Sequence, residues 1–436
     1  MAATAPKQTF RIVSFGCKVN QAEAVDLAAR LGDAGLRDAG SEDAADVVIV
    51  NTCTVTGEAA RQGRQRIRRA LRDGAAVVVT GCGAHPAARD ASLRRIEGLL
   101  LVEPDKDRVA AELARRLDAF LPAAGRAAAS AARPPDARSR AVLKVQDGCP
   151  ASCAYCIVPK VRPAVRSVPP GDAVRQLREL VAAGFGEVVL CGIHLGLYGT
   201  DLEPRMGLVD LLERLLAVEG LGRLRLSSIE PMEADARLLG LVASEPHRLC
   251  PHLHLPLQSG DDGVLRRMGR PYTSGDFLAK VDQVRAALPH PAVTTDVLVG
   301  FPGESRAAFE NTLRVCRQAG FSRMHVFPFS RRPGTPAAQM AGQVARAVLR
   351  ARRASAGALG EELAAAYRES FVGGTAEVAV EEALPDGGAE GVSERYVRVR
   401  ILGPLPEGAA RQGIVPVKVL RAERDALVAE PVAGLT

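Results

Sequence analysis

The feature that most constrains this chain is a recurring alternation of short apolar segments with amphipathic helical patterns. TFRIVSFG precedes NQAEAVDLAARLGDAG, DVVIVNT precedes GEAARQGRQRIRRALRD, and AVVVTG leads through a further helix to LLLV and DRVAAELARRLDAF. Buried apolar runs joined by helices predict parallel strands with crossover connections, so residues 1–120 read as a doubly wound α/β sheet. Residues 121–140, LPAAGRAAASAARPPDARSR, carry no apolar period and read as a linker.

From 141 to about 335 the alternation returns with strands AVLKVQD, EVVLCG, LRLSSI, LHLPLQ, AVTTDVLVG and MHVFPFS. Polar or glycine residues follow nearly every strand, which predicts a partial (βα)6 barrel, about two units short of a closed eight-fold one. An Ala/Arg/Glu-rich helix near 341–368 completes a domain over 141–368. Residues 369–436 change character: AEVAVEEAL, RYVRVRIL and GIVPVKVLRAE are short strands between Gly/Pro turns, the pattern of a small β-barrel.

Composition serves to exclude. Apolar types at 47% and charged types at 25% describe a globular chain and not a disordered one. No run approaches the roughly 18 to 20 apolar residues that a bilayer crossing needs, so no membrane partner is expected. The segment MAATAPKQTFRIVSFG has no export h-region, so a cytoplasmic protein is expected. A net charge of +7 permits a polyanionic partner without demonstrating one. The nine cysteines are odd in number in a large chain, which argues against a disulfide framework and for metal binding or thiol chemistry.

Cys149, Cys153 and Cys156 form a C-x3-C-x2-C triplet directly after the first strand of the partial barrel, on the face where such barrels keep their chemistry. Three thiolates in one loop can hold three irons of a [4Fe–4S] cluster and leave the fourth open to a small molecule. The alternative is zinc with a distant fourth ligand. Tyr155, between the second and third thiols, can pack on the adenine of a bound nucleoside or shield the cluster from water. Cys17, Cys53 and Cys82 each fall just past a predicted strand of the N-terminal sheet, so all three are expected at its carboxyl edge, where open α/β folds bind ligands. The alternative there is three independently buried cysteines. Cys191, Cys250 and Cys316 read as core, with Cys191 alone at a strand end.

Taken together, SFGCKVNQAEA, VNTCTVTGEA, VVTGCGAH, QDGCPASCAYCIVP, LSSIEP, HLHLPLQSGDDGVLRRMGRPYT, TDVLVGFPGES and HVFPFSRRPGTPAAQM resemble the radical-SAM methylthiotransferases over roughly residues 10–340. The tail is similar to that family's TRAM domain, and GCKVNQAE with HLHLPLQSG most resembles the MtaB type. The resemblance implies insertion of a methylthio group at carbon 2 of N6-threonylcarbamoyladenosine, beside the anticodon of tRNA. It also implies two [4Fe–4S] clusters and S-adenosylmethionine (SAM). Cys149, Cys153 and Cys156 would hold the SAM-cleaving cluster, and Cys17, Cys53 and Cys82 an auxiliary one. An electron donor such as flavodoxin or ferredoxin is implied, and the sulfur donor is left open. Isopentenyladenosine in tRNA and an aspartate of a ribosomal protein are the alternative substrates within the family. A zinc-containing RNA-binding protein is the alternative of another class.

The remaining polar strand ends are candidates for contact with SAM or substrate. These are Ser227, Ser228 and Glu230 after the third barrel strand, Gln258 and Ser259 after the fourth, and Asp296 on the fifth. GFPGE, from Gly300 to Glu304, is expected to let a ligand approach the backbone. His252 and His254 should share one face as a hydrogen-bonded barrel interior, and Arg162 and Arg166 are candidates for a carboxylate or phosphate. The sequence departs from the family pattern at Pro163, where the family usually has glycine, and at GCGAH. Over 371–436, ten acidic residues face seven basic ones, a poor clamp for RNA. Arg395, Arg398 and Arg400 with Tyr396 are expected to make one basic face there, with the helix RQGRQRIRRALRD as a further phosphate candidate.

Overall fold

A computed structural model of the chain describes residues 8–40, 45–54, 56–88, 90–120, 140–405 and 413–432. All but the last residue of the expected 121–140 linker lies outside the described residues. The chain divides into two compact units. The first comprises Met1–Ala137 with Tyr155–Pro163 and Ser330–Ala338; the second comprises Arg138–Ala154, Ala164–Phe329 and Gln339–Thr436.

In the first unit, β1 (Thr9–Ser14), β2 (Arg37–Asp38), β3 (Val47–Thr52), β4 (Ala76–Gly81) and β5 (Leu99–Val102) form one parallel sheet in the order β2-β1-β3-β4-β5. The apolar runs are continuous because both faces are covered. Phe10, Ile49 and Val78 pack with Leu27, Leu31, Val109 and Leu113 of the helices Lys18–Asp33 and Lys106–Phe120. Val48, Val50, Val77 and Val79 face the other way, onto Ile67 and Ala70 of the helix Gly57–Arg72. That helix starts where the Thr56 hydroxyl accepts from the Ala59 N–H at 3.2 Å. Only the two-residue β2 has no counterpart in the sequence reading, since two residues carry no period.

In the second unit, β6 (Arg140–Lys144), β9 (Glu187–Cys191) and β10 (Arg223–Leu226) form one parallel set. β11 (His252–His254), β12 (Ala292–Val299) and β13 (Arg323–Pro328) form another. Bridges Leu224–Leu249 and Ser228–His254 join the two sets, so six strands follow one another in chain order, the expected partial barrel. The first strand is shorter than AVLKVQD suggests. At Gln146, β7 (Gln146–Asp147) turns away to pair antiparallel with β8 (Arg166–Ser167). The Gln146 side chain holds this bend, donating to the carbonyls of Asp147 (2.8 Å) and Gly148 (2.7 Å) and accepting from the His194 N–H at 2.8 Å.

The tail closes a five-stranded barrel in the order β14-β15-β16-β18-β17, from β14 (Thr375–Ala383), β15 (Ala389–Ser393), β16 (Arg398–Ile401), β17 (Ile414–Ala422) and β18 (Leu427–Pro431). It is seated on the amino ends of the larger barrel's strands through a buried charge cluster. Glu187 accepts from Arg223 Nε at 2.7 Å and from Arg225 Nε at 2.7 Å. The same two guanidinium groups donate to the main-chain carbonyls of Glu377, Val392, Ser393 and Glu394. Tyr396 stacks on His252 at 4.8 Å, and Arg225 lies over its ring.

This seat corrects the expected basic face of the tail. Tyr396 is turned to the larger barrel, while Arg395 donates to the His290 carbonyl and pairs with Glu394. Arg398 and Arg400 remain exposed, and Arg400 pairs with Asp386 at 2.9 Å.

Candidate active site

Within the first unit, strand register gathers the thiols. Ser14 lies opposite Asn51 and Asn51 opposite Thr80, so β1, β3 and β4 end level. Cys17 comes three residues after β1, Cys53 and Cys82 directly after β3 and β4, and all three emerge at one carboxyl edge. A Cβ built on Gly16 would lie 2.5 Å from both Cβ and Sγ of Cys53, at a backbone φ of +98°, so the close approach of these loops requires glycine there. Cys17 opens to solvent. Protein packed around it nevertheless raises its thiol pKa by desolvation, against the Asn20 N–H that lowers it, and the neighbouring Cys82 adds to the rise.

A buried polar network locks this edge. The Asn20 side chain donates to the carbonyls of Phe15 at 2.9 Å and Thr52 at 3.1 Å, and Asn51 donates to the Asn20 carbonyl at 2.8 Å. Arg162, on the segment Tyr155–Pro163, places Nε 3.4 Å from Cys82 Sγ. Its two Nη atoms are held by Glu23 at 2.8 and 2.9 Å, and Lys106 pairs with the same carboxylate. The carboxylate anticipated for Arg162 is thus one of the chain's own. Arg166 is exposed on β8. Ile157 and Val161, which follow Cys156, pack with Cys82 and Ala88. Arg332 lies close enough to Cys53 to feel its charge, and its Nε and Nη2 are buried without a hydrogen-bond partner among the described residues.

Within the second unit, Cys149 and Cys153 lie in the loop after β7, while Cys156 and the half-buried Tyr155 belong to the first unit. Two residues that the sequence reading passed over meet these thiols. His194, just past β9, sets Nδ1 3.4 Å from Cys149 Sγ and Nε2 2.6 Å from Glu233. Burial opposes the charged ring, but Cys149 and Glu233 outweigh it and lift the pKa to about 10. Arg270 sets Nη1 3.5 Å from Cys153 Sγ and pairs with Glu230. The signal for His194 was its place after a barrel strand, the same logic that singled out the cysteines. Arg270, in GRPYT, carried no local signal.

The other candidates divide. The Ser227 hydroxyl, at the end of β10, is buried and has no hydrogen-bond partner among the described residues, as a residue awaiting a ligand would be. Gln258, four residues past β11 and bridged to Val297 of β12, takes a strained φ of +63°. Asp296 lies 3.4 Å from His254 Nε2. His252 and His254 both bond the Thr294 hydroxyl, at 2.9 and 3.0 Å, the hydrogen-bonded interior expected of them.

Two candidates are packed by the chain itself. Ser259 is fully buried, and its hydroxyl is engaged by Thr312 and the Asp261 N–H, so it faces protein. A Cβ built on Gly300, at φ +75°, would meet Leu349 and Val344, so protein fills that side of the glycine. The carboxylate of GFPGE, Glu304, turns inward to the Gly300 N–H and Arg352. Cys191, Cys250 and Cys316 are buried, and desolvation pushes the Cys250 thiol up to about 11 and the Cys316 thiol up to about 12. Among the described residues no group of three His, Cys, Asp or Glu side chains is close enough to hold a single metal ion. An iron–sulfur cluster takes one thiolate per iron and spreads its ligands more widely. None of the helices among the described residues is long and apolar enough to cross a membrane.

The partial parallel barrel with chemistry at its carboxyl ends is that of a radical-SAM enzyme: residues 143–316 match the Radical SAM superfamily, and residues 9–99 match Uncharacterized protein family UPF0004. A threonylcarbamoyladenosine tRNA methylthiotransferase, MtaB, of Bacillus subtilis is 36% identical, covering 94% of this chain and 93% of its own length. A tRNA-2-methylthio-N6-dimethylallyladenosine synthase of Streptomyces coelicolor is 34% identical, covering 97% of this chain and 87% of its own. The chain belongs to the radical-SAM tRNA methylthiotransferase family. Among solved structures, the radical SAM methyltransferase TsrM of Kitasatospora setae, with cobalamin and a [4Fe–4S] cluster bound, shares the fold. Its TM-score is 0.53 at 16% identity, over 76% of this chain and 77% of that one.

Proposed function

We propose that this enzyme inserts a methylthio group at carbon 2 of N6-threonylcarbamoyladenosine next to the anticodon of tRNA. In this reading Cys149, Cys153 and Cys156 hold one [4Fe–4S] cluster, Cys17, Cys53 and Cys82 hold a second, and two SAM molecules are consumed. The observation that carries it is the level carboxyl edge of β1, β3 and β4, which gathers three thiols from distant sequence beside an arginine. A donor set of three thiols fits a cluster with one iron left open for a ligand.

When bound, the clusters and SAM supply one-electron chemistry and a transferable sulfur, which an unactivated aromatic C–H bond requires. The chain's own residues supply the rest. Gln146 shapes the loop that carries Cys149 and Cys153, and Arg270 with Tyr272 braces its far side. Gly269, at φ +75°, lets the Cys153 backbone close on the end of the helix Asp262–Met268. Ser227, Glu230, Gln258 and Asp296 line successive strand ends as contacts for SAM or substrate, with Tyr155 against the nucleoside. Phosphate contacts are assigned to the helix Gly57–Arg72, where Arg68 and Arg72 are exposed. Flavodoxin or ferredoxin serves as electron donor, in the cytoplasm.

The threonylcarbamoyl assignment follows the GCKVNQAE motif and the MtaB relatives, of which those of Bacillus subtilis and Thermotoga maritima are 36% and 35% identical. Dimethylallyladenosine is the second reading, because the Streptomyces relative is nearly as similar. Two measurements test the proposal. Anaerobically purified protein should carry about eight irons with matching sulfide; zinc with negligible iron refutes the chemistry. Mass spectrometry of tRNA nucleosides from a deletion strain should show loss of methylthio-threonylcarbamoyladenosine; its persistence, with no second enzyme present, refutes the substrate.

A further inference from the structure

At three sulfurs the structure repeats one arrangement from unrelated stretches of sequence. At two of them a guanidinium points one N–H toward a cysteine while a glutamate holds at least one other nitrogen, and at the third an imidazole nitrogen faces the cysteine. Arg162 is fixed at both Nη atoms by Glu23 and presents Nε to Cys82 at 3.4 Å. Arg270 is fixed by Glu230 and by the Tyr272 hydroxyl at 3.0 Å, and presents Nη1 to Cys153 at 3.5 Å. His194 is fixed by Glu233 at 2.6 Å and faces Cys149 at 3.4 Å.

These groups are shielded from water. The side chains of Arg162 and Glu23 are 13% and 9% exposed, and that of Arg270 is 5% exposed. A buried guanidinium needs a partner on each edge. In each the glutamate holds one edge of the guanidinium, and the sulfur lies within hydrogen-bond reach of another nitrogen.

The geometry points to a shared role: Arg162 and Arg270, each anchored by its glutamate, donate N–H···S hydrogen bonds to cluster thiolates and so set the reduction potentials of the two clusters. The inference rests on the cluster assignment above and adds to it. Reduction adds negative charge that spreads onto the ligand sulfurs, so a fixed donor there favours the reduced state and raises the potential. The anchor keeps the donor aimed without a reorganisation cost in either redox state. Arg162 and Arg270 are positioning residues: they touch the ligand sulfur and act through it.

The test uses the full chain in two backgrounds. Replacing Cys149, Cys153 and Cys156 with alanine isolates the auxiliary cluster, and replacing Cys17, Cys53 and Cys82 isolates the other. Each is titrated with dithionite and followed by EPR. In the first background Arg162→Met should lower the reduced-to-oxidised ratio at fixed potential about tenfold, about 59 mV for a one-electron couple. Arg162→Lys, which keeps a donor, should recover part of the shift, and Glu23→Gln should give a smaller shift of the same sign. In the second background Arg270→Met should do the same.

Unchanged potentials at full iron content overturn the inference. If Arg162→Met fails to retain iron, Arg162→Lys and Glu23→Gln decide it, and unchanged potentials in both overturn it. An Arg270→Met variant that raises KM for SAM at an unchanged potential overturns the Arg270 half. Parent backgrounds with far fewer than about four irons per chain refute the cluster assignment itself, a different failure from loss of the hydrogen bonds.

Discussion

Replacing Glu187 with glutamine tests the seat of the small barrel most directly. Glu187 is fully buried between Arg223 and Arg225, which are themselves fully buried. Its oxygens accept from Arg223 Nε at 2.7 Å, Arg225 Nε at 2.7 Å and Arg225 Nη2 at 2.9 Å, with Arg140 Nη1 at 3.5 Å. Glutamine keeps the size and one acceptor but leaves two buried guanidinium charges without a counter-ion. Breaking a buried pair this way costs about 3–5 kcal/mol, and the retained amide places Glu187→Gln near the lower end. Such a loss is a large share of a typical folding free energy of about 5–15 kcal/mol. In a unit this large it should lower the melting midpoint by roughly 5 °C, read by calorimetry.

The pH dependence follows with its sign. Burial alone would raise the Glu187 carboxyl, but Arg225 and Arg223 overcome it and hold it far below the ordinary 4.5. A depressed carboxylate contributes stability that is complete above its unfolded value and lost as pH falls toward the folded one. Wild type should therefore lose stability below pH 4.5 more steeply than Glu187→Gln does. As a control, Arg237→Ala removes an exposed pair with Asp210 and should leave the midpoint in place. A Glu187→Gln protein within about 1 kcal/mol of wild type, with the same acid slope, would refute the argument that this charge cluster holds the two barrels together.

Cys17→Ala should keep SAM cleavage, measured as 5′-deoxyadenosine release, and lose methylthio product, whereas Cys149→Ala should lose both; wild-type behaviour of either contradicts the division of labour. Gly16→Ala drives a Cβ against Cys53 at a backbone angle that alanine resists, so purified protein should hold about four irons where wild type holds about eight. Full iron content in that variant would show that the loop does not need the glycine. Gly300→Ala meets Leu349 and a φ of +75°, and should destabilise the chain by about 1 kcal/mol or more without altering the KM for SAM; a changed KM at unchanged stability would restore the ligand-approach reading.

Much of this enzyme is written locally. The apolar runs DVVIVNT and AVVVTG declare strands covered on both faces, and cysteines directly after such strands must emerge at the carboxyl edge, because parallel strands in level register end together. Strand, helix and strand-end position are properties of neighbouring residues, so the two thiol sets could be placed before any coordinates. What surrounds each thiol is not local. Arg162 finds Glu23 across 139 residues, and Arg225 reaches the Glu394 carbonyl across 169. Ser259 and Gly300, polar or permissive at the right strand ends, turn out to face Thr312 and Leu349 of the chain itself. A side chain's partner depends on which distant elements the packed core brings beside it, and no periodicity in the sequence records that choice. The sequence alone determined the fold class and where the cysteines sit along it; only tertiary packing decided which charges aim at their sulfurs and which candidates are sealed away.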